Sequence, residues 1–214
     1  MRALLLILDS VGCGEAPDAA SFGDEGANTL GHLFESDPAF ELPTLFSLGL
    51  WKILTGDVFS ARSQDTQARW GRMRERSRGK DTTTGHWEIA GVIQDEPFST
   101  FERFPDELVK RIERDAKVRF LGNYPQSGTV ILDELGPEHL RTGAPILYTS
   151  ADSVLQIAAH EEIIPPARLY EICRVARRHA NKHRIGRVIA RPFSGKPGAF
   201  QRSRGRHDYS MVPP

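Results

Sequence analysis

Six consecutive apolar residues, Ala3-Leu4-Leu5-Leu6-Ile7-Leu8, run without a polar interruption into Asp9-Ser10. An extended segment of that kind has no face to give to water. It reads as a strand buried on both sides, which requires a parallel sheet covered by helices. The run is too short for a transmembrane span or the core of a secretory signal. A carboxylate at the carboxyl end of such a strand sits where open α/β sheets place ligands. Asp9 is therefore either a ligand for a hard metal ion or a cap of the turn that follows. Gly12-Cys13-Gly14 lacks the third glycine of a dinucleotide fingerprint, which argues against a Rossmann cofactor.

The rest of the chain supports the same class. Asn28 to Glu35 has the pattern of a short capped helix with Leu30, Leu33 and Phe34 inward. Helices are predicted after Pro105, over Val130–Leu135 with a stop at Gly136-Pro137, and over Pro166–His179. Strands are predicted near Val118–Leu121, at Ile146–Tyr148 and over Ile185–Phe193. A composition shift at Gln94–Pro97 suggests a boundary between residues 1–96 and a smaller α/β unit over 97–208, with 209–214 leading away from it.

Charge narrows the partners. Lys+Arg and Asp+Glu both number 28 in 214 residues, so nothing in the balance favours nucleic acid or an anionic membrane. A mean hydropathy of −0.39 suits a soluble protein, and the chain is expected in the cytoplasm. The only cysteines, Cys13 and Cys173, have no metal-ligand spacing and are expected as reduced thiols. Arg62, Arg69, Arg72, Arg74, Arg76 and Arg78 form a basic run that reads as a solvated face. The stretch Phe200–Tyr209 is too short for a nucleic-acid patch, but its arginines suit a phosphate clamp.

The chemistry concentrates in Gly79-Lys80-Asp81-Thr82-Thr83-Thr84-Gly85-His86-Trp87-Glu88. Threonines at a helix entrance can cap backbone N–H groups, and such an entrance attracts phosphate. The stretch is either a plain N-cap with a solvated turn or a loop whose hydroxyl accepts a phosphoryl group.

This stretch resembles the nucleophile loop of the phosphopentomutases, in the alkaline phosphatase superfamily. So, in order, do Asp9-Ser10-Val11-Gly12, Gly26-Ala27-Asn28-Thr29-Leu30-Gly31-His32, Tyr148-Thr149-Ser150-Ala151-Asp152-Ser153 and Arg187–Phe193. The resemblance implies an α/β fold made of an incomplete alkaline-phosphatase-like core followed by a smaller α/β cover domain. It implies interconversion of the 1- and 5-phosphates of ribose or deoxyribose through a phosphothreonine, with two Mn2+-class ions and a sugar bisphosphate activator. By position, Thr82 matches the phosphorylated threonine, Asp9 and Thr82 match metal ligands, and Ser150, Asp152, Arg187 and Arg202 match the sugar- and phosphate-binding residues.

The departure is as informative. The family continues for nearly as much sequence again, and that part supplies most metal ligands, including an Asp-His-Gly motif. This chain has seven histidines, none directly after an aspartate. One carboxylate and one hydroxyl do not hold two divalent ions. Three readings follow: a mutase complete only with the missing half, supplied by a separate chain; a non-catalytic sugar-phosphate-binding fragment; or an inactive remnant.

Overall fold

The structure is a computed structural model that describes residues 2–8, 11–37, 39–55 and 68–213. It divides into two compact units, Met1–Arg74 and Glu75–Pro214.

In the first unit a 3-10 turn, Ala19–Phe22, precedes helices α1 (Thr29–Ser36), α2 (Pro43–Ser47) and α3 (Leu50–Thr55). Asn28 caps α1, its Oδ1 accepting from the N–H groups of Gly31 (3.1 Å) and Gly14 (3.0 Å). Phe34 stacks on Phe40 and Phe46 with ring centroids 5.0 and 5.3 Å away, while Leu33, expected inward, is exposed.

The apolar run at the start departs from its prediction. Residues 3–8 form no strand, and Leu4 and Leu6 are 93% and 79% exposed. A strand is held by a neighbour's N–H and C=O groups, and this unit contains no other strand among its described residues. Asp9 and Ser10 lie outside the described residues, as does Arg62. The described arginines of the basic run, Arg69, Arg72, Arg74, Arg76 and Arg78, are exposed as expected.

The second unit is a mixed α/β layer. Its elements are α4 (Thr82–Ile89), α5 (Asp106–Ala116), β1 (Leu121–Pro125), α6 (Val130–Thr142), β2 (Ile146–Thr149), β3 (Val154–His160), α7 (Pro166–Ala180), β4 (Arg187–Ser194), β5 (Gln201–Arg202) and β6 (His207–Ser210). The sheet runs β1-β2-β3-β4, with β5 and β6 pairing successive parts of β4. The β1–β2 and β3–β4 pairs are parallel, the others antiparallel.

Side-chain alternation assigns the two faces. Leu147, Leu155, Ile157, Val188 and Ala190 pack on one face against Leu108 and Ile112 of α5 and Leu169, Ile172 and Cys173 of α7. Ile146, Tyr148, Ala158 and Phe193 point to the other face, where Ile131 and Leu132 of α6 cover them. Four of the helical and strand predictions in this unit hold with small shifts at their ends, while the strand expected near Val118–Leu121 forms at Leu121–Pro125 and shares only Leu121 with the expectation. One fails at its stop: α6 continues through Pro137 to Thr142. Proline forfeits one backbone bond, but His139 beyond it is buried, and the helix ends only at Gly143, whose φ of 74° closes the αL cap. Strand β3 has no counterpart in the sequence reading.

Two buried histidines tie α6 to the sheet. His139 Nδ1 lies 2.8 Å from the Ala144 carbonyl and must donate to it, so Nε2 accepts the His160 N–H at 2.8 Å. This arrangement needs neutral His139, and burial, with the nearby His160, holds its pKa below the ordinary range against the pull of Ala144. The unfolded chain takes up that proton first. Stability is therefore full above the unfolded value of about 6.5 and declines as pH falls through it towards the folded value. Denaturant titrations at pH 7.5 and pH 5.5 should show this loss, and His139→Gln should flatten it.

Both cysteines are free thiols, with Cys173 buried and its pKa raised by that burial. Among the described residues no helix is long and apolar enough to cross a membrane.

Candidate functional site

Thr82 opens α4 as its first helical residue, but the cap is Asp81 rather than a threonine. Asp81 Oδ1 accepts the Thr84 N–H at 2.9 Å, and the Thr84 hydroxyl donates to Oδ2 at 2.7 Å. Thr83 and Thr84 are buried while Thr82 is exposed, so only one of the three hydroxyls is open to a reactant. Glu88 braces the preceding loop by accepting the N–H groups of Arg76 (2.8 Å) and Ser77 (2.7 Å). Those bonds, the Ser77 ones foremost, lower its pKa. Gln94 completes the brace through the Ser77 hydroxyl at 3.0 Å.

The α4 loop is attached to the sheet by aromatic packing. Trp87 meets Phe98 edge-on at 5.4 Å, and Phe98 lies against Gly186, immediately before Arg187.

On the sheet, helix α6 covers the β1–β3 side and Phe193 near the end of β4, and polar groups gather along the earlier part of β4. Arg187 stands at the start of β4, 3.7 Å from Asp152 and 3.5 Å from Asp208. Arg191, two positions of the same face further on, donates Nε–H to Gln156 Oε1 at 3.0 Å. Arg206 forks onto Asp208 with bonds of 2.7 and 2.6 Å. Burial opposes charge on Asp208, but the Arg206 bonds and the charges of Arg206, Arg187 and Arg191 outweigh it and keep the carboxyl below its usual range. Tyr148 lies beneath this group, its phenol raised by burial against the pull of Arg191, Arg202 and Arg206. Arg191 is pushed down, first by burial and then by Arg206 and Arg202. Four guanidinium groups thus face two carboxylates, which leaves the face cationic and rich in fork-shaped donors.

Of the residues expected to meet sugar and phosphate, the structure pairs Arg187 with Asp152 and sets Arg202 beside Tyr148 and Arg191. Ser150 is half-buried in the β2–β3 loop. Arg191, Gln156 and Tyr148 share this face without having been among the expected residues, although Arg187-x-Ile189-x-Arg191 carries the two-residue period of one strand face. Arg206 and Asp208 fell within the tail read as a phosphate clamp.

No protein-family model matches the chain. Curated sequences do. A phosphopentomutase of Carboxydothermus hydrogenoformans is 53% identical over 219 residues, covering 99% of this chain and 55% of the relative. Those of Acetivibrio thermocellus and Caldanaerobacter subterraneus subsp. tengcongensis are 53% and 52% identical over 214 residues, with 99% of this chain covered in each case. By sequence, the chain belongs to the phosphopentomutase family. It spans about half the length of the curated relatives it matches.

The phosphopentomutase resemblance raises the question of a divalent centre at Thr82. Among the described residues no group of three His, Cys, Asp or Glu side chains stands together in a way that could hold a metal ion. Of the two residues expected to bind the ions, the described part contains Thr82, and Asp9 falls outside it.

Proposed function

We propose that this chain carries the phosphoryl-accepting loop and the sugar-phosphate-binding face of a phosphopentomutase, acting on ribose or deoxyribose phosphates in the cytoplasm. In this reading residues 1–96 belong to an alkaline-phosphatase-like core and 97–208 to its cover domain. The cationic sheet face carries the proposal, since its guanidinium forks match phosphate oxygens while Asp152 offers an acceptor for sugar hydroxyls.

Thr82 is the phosphoryl acceptor. Its Oγ attacks the phosphorus of a sugar bisphosphate, the bond from phosphorus to the sugar oxygen breaks, and the threonine proton leaves to solvent or a base. An incoming sugar 1-phosphate takes that phosphoryl group on its free 5-hydroxyl, which re-forms the bisphosphate and the free threonine. Renewed attack on the phosphorus at the 1-oxygen releases the 5-phosphate and completes the isomerisation. Asp81 and Thr84 hold the helix entrance in shape for this. Arg187 and Arg202 hold the phosphate that does not transfer, with Ser150 and Asp152 on the sugar. Manganese-class ions would supply the charge that activates the hydroxyl. Their ligands would come from Asp9 and from the portion of the longer relatives that this chain does not match, on a separate chain or a continuation of this one.

A second reading is favoured by one observation: the cationic face lies wholly within the second unit, whereas a metal-ligand cluster is missing from the described residues. On that reading the chain binds sugar phosphate without transforming it. Titration calorimetry with ribose 5-phosphate tests what the two share. Binding is expected, with Arg187→Ala weakening it at least tenfold, since a fork to phosphate contributes about 1.5–3 kcal/mol. No binding by the unsubstituted chain would overturn both readings.

A further inference from the structure

We propose that Gly128 is a positioning residue: it forms the seat that aims the Arg202 guanidinium across the cationic face. The inference rests on the proposed role of Arg202 in holding phosphate. Gly128 lies in the loop between β1 and α6, and its φ is not positive, so the backbone there does not call for glycine. Side-chain space does. A methyl group on Gly128 would lie 2.2 Å from Arg202 Nη2, 3.1 Å from its Cζ and 3.0 Å from the Tyr148 hydroxyl oxygen. The guanidinium head therefore rests on bare backbone beside a buried phenol.

The backbone that carries Arg202 is fixed by a second glycine. Phe200 packs over Gly136, where a methyl group would come within 2.4 Å of the ring. The same ring stands edge-on to Phe193 at 5.3 Å and to His160 at 6.4 Å. Strand β5 then pairs with β4, setting Arg202 opposite Phe193 on this face. With its stem held, the remaining freedom of Arg202 lies in the head. Among the described residues no carboxylate forms an ion pair with it, so the seat, rather than an acidic partner, sets its direction. An arginine held this way keeps its donors for an incoming anion.

Gly128→Ala separates the seat from the fold, because the atoms it meets are the end of a flexible side chain and a hydroxyl. The variant of the 214-residue chain is expected to keep its melting temperature and to bind ribose 5-phosphate about tenfold more weakly, the cost of one misdirected charge-assisted bond. In an Arg202→Ala background the same substitution should change binding no further. The Arg202 Nε–H resonance should shift in Gly128→Ala without ligand. Failure of the variant to fold, unchanged affinity, or an equal loss in the Arg202→Ala background would overturn the proposal. If the unsubstituted chain does not bind ribose 5-phosphate, the site reading fails. The resonance still decides the seat: a shift supports it, and an unmoved signal overturns it.

Discussion

The 214-residue chain alone, given ribose 1-phosphate, manganese and a sugar bisphosphate, is expected to form no measurable ribose 5-phosphate. The exposed Thr82 hydroxyl sits on a well-braced helix entrance, yet geometry of that kind does not lower the barrier by itself. A hydroxyl is a poor nucleophile until its proton is drawn off, and the transferring phosphoryl group needs positive charge around its oxygens. Among the described residues no metal-ligand cluster supplies that charge. Loss of a metal centre removes several kcal/mol of transition-state stabilisation, a rate decrease on the order of 10³-fold or more. Adding the segment of the longer relatives that this chain does not match should restore turnover. Thr82→Ala should abolish the restored turnover while leaving ribose 5-phosphate binding by the sheet face intact. Turnover by the isolated chain, or by the Thr82→Ala complex, would overturn the assignment of that residue.

The contrast between the two units shows what a local pattern can and cannot specify. Helices α5 and α7 were legible because Leu108, Ile112, Leu169, Ile172 and Cys173 repeat at helical spacing and bury against one sheet within the same unit. The run from Ala3 to Leu8 has an equally strong pattern, but a strand is a property of its neighbours. With no other strand among the described residues of its unit, the pattern alone produces no strand. The site divides in the same way. Motifs single out Thr82 and Arg187 as candidates, whereas Tyr148, Gln156 and Arg191 meet only because β2, β3 and β4 lie side by side. Gly128 was least legible of all: its neighbour Arg202 is far away in sequence, and nothing local to the loop announces it.

The second large effect is expected at Arg177, on the last turn of α7. Its guanidinium is partly buried and, among the described residues, donates only to carbonyl-type oxygens: Ile185 at 2.7 Å, Gly186 at 3.2 Å, Tyr209 at 3.3 Å and Asn181 Oδ1 at 2.8 Å. One side chain thereby joins the helix end to the turn before β4 and to strand β6, next to Arg187 and Asp208. Burial lowers its pKa to about 10, so holding the charge there has a desolvation cost. The bonds must outweigh that cost for the arrangement to form. Arg177→Met would relieve the desolvation but leave the Ile185, Gly186 and Tyr209 carbonyls without this donor. Hydrogen bonds to a charged group contribute about 1.5–3 kcal/mol each and do not add fully, so a net loss of about 3 kcal/mol is expected. For a unit of this size that lowers the melting temperature by roughly 10 °C. Arg177→Lys should recover only part of the loss, because a compact ammonium does not span oxygens spread around a planar fork. An unchanged melting temperature in Arg177→Met would mean that the four bonds merely offset desolvation, and that packing alone fixes the edge of the sheet that carries the cationic face.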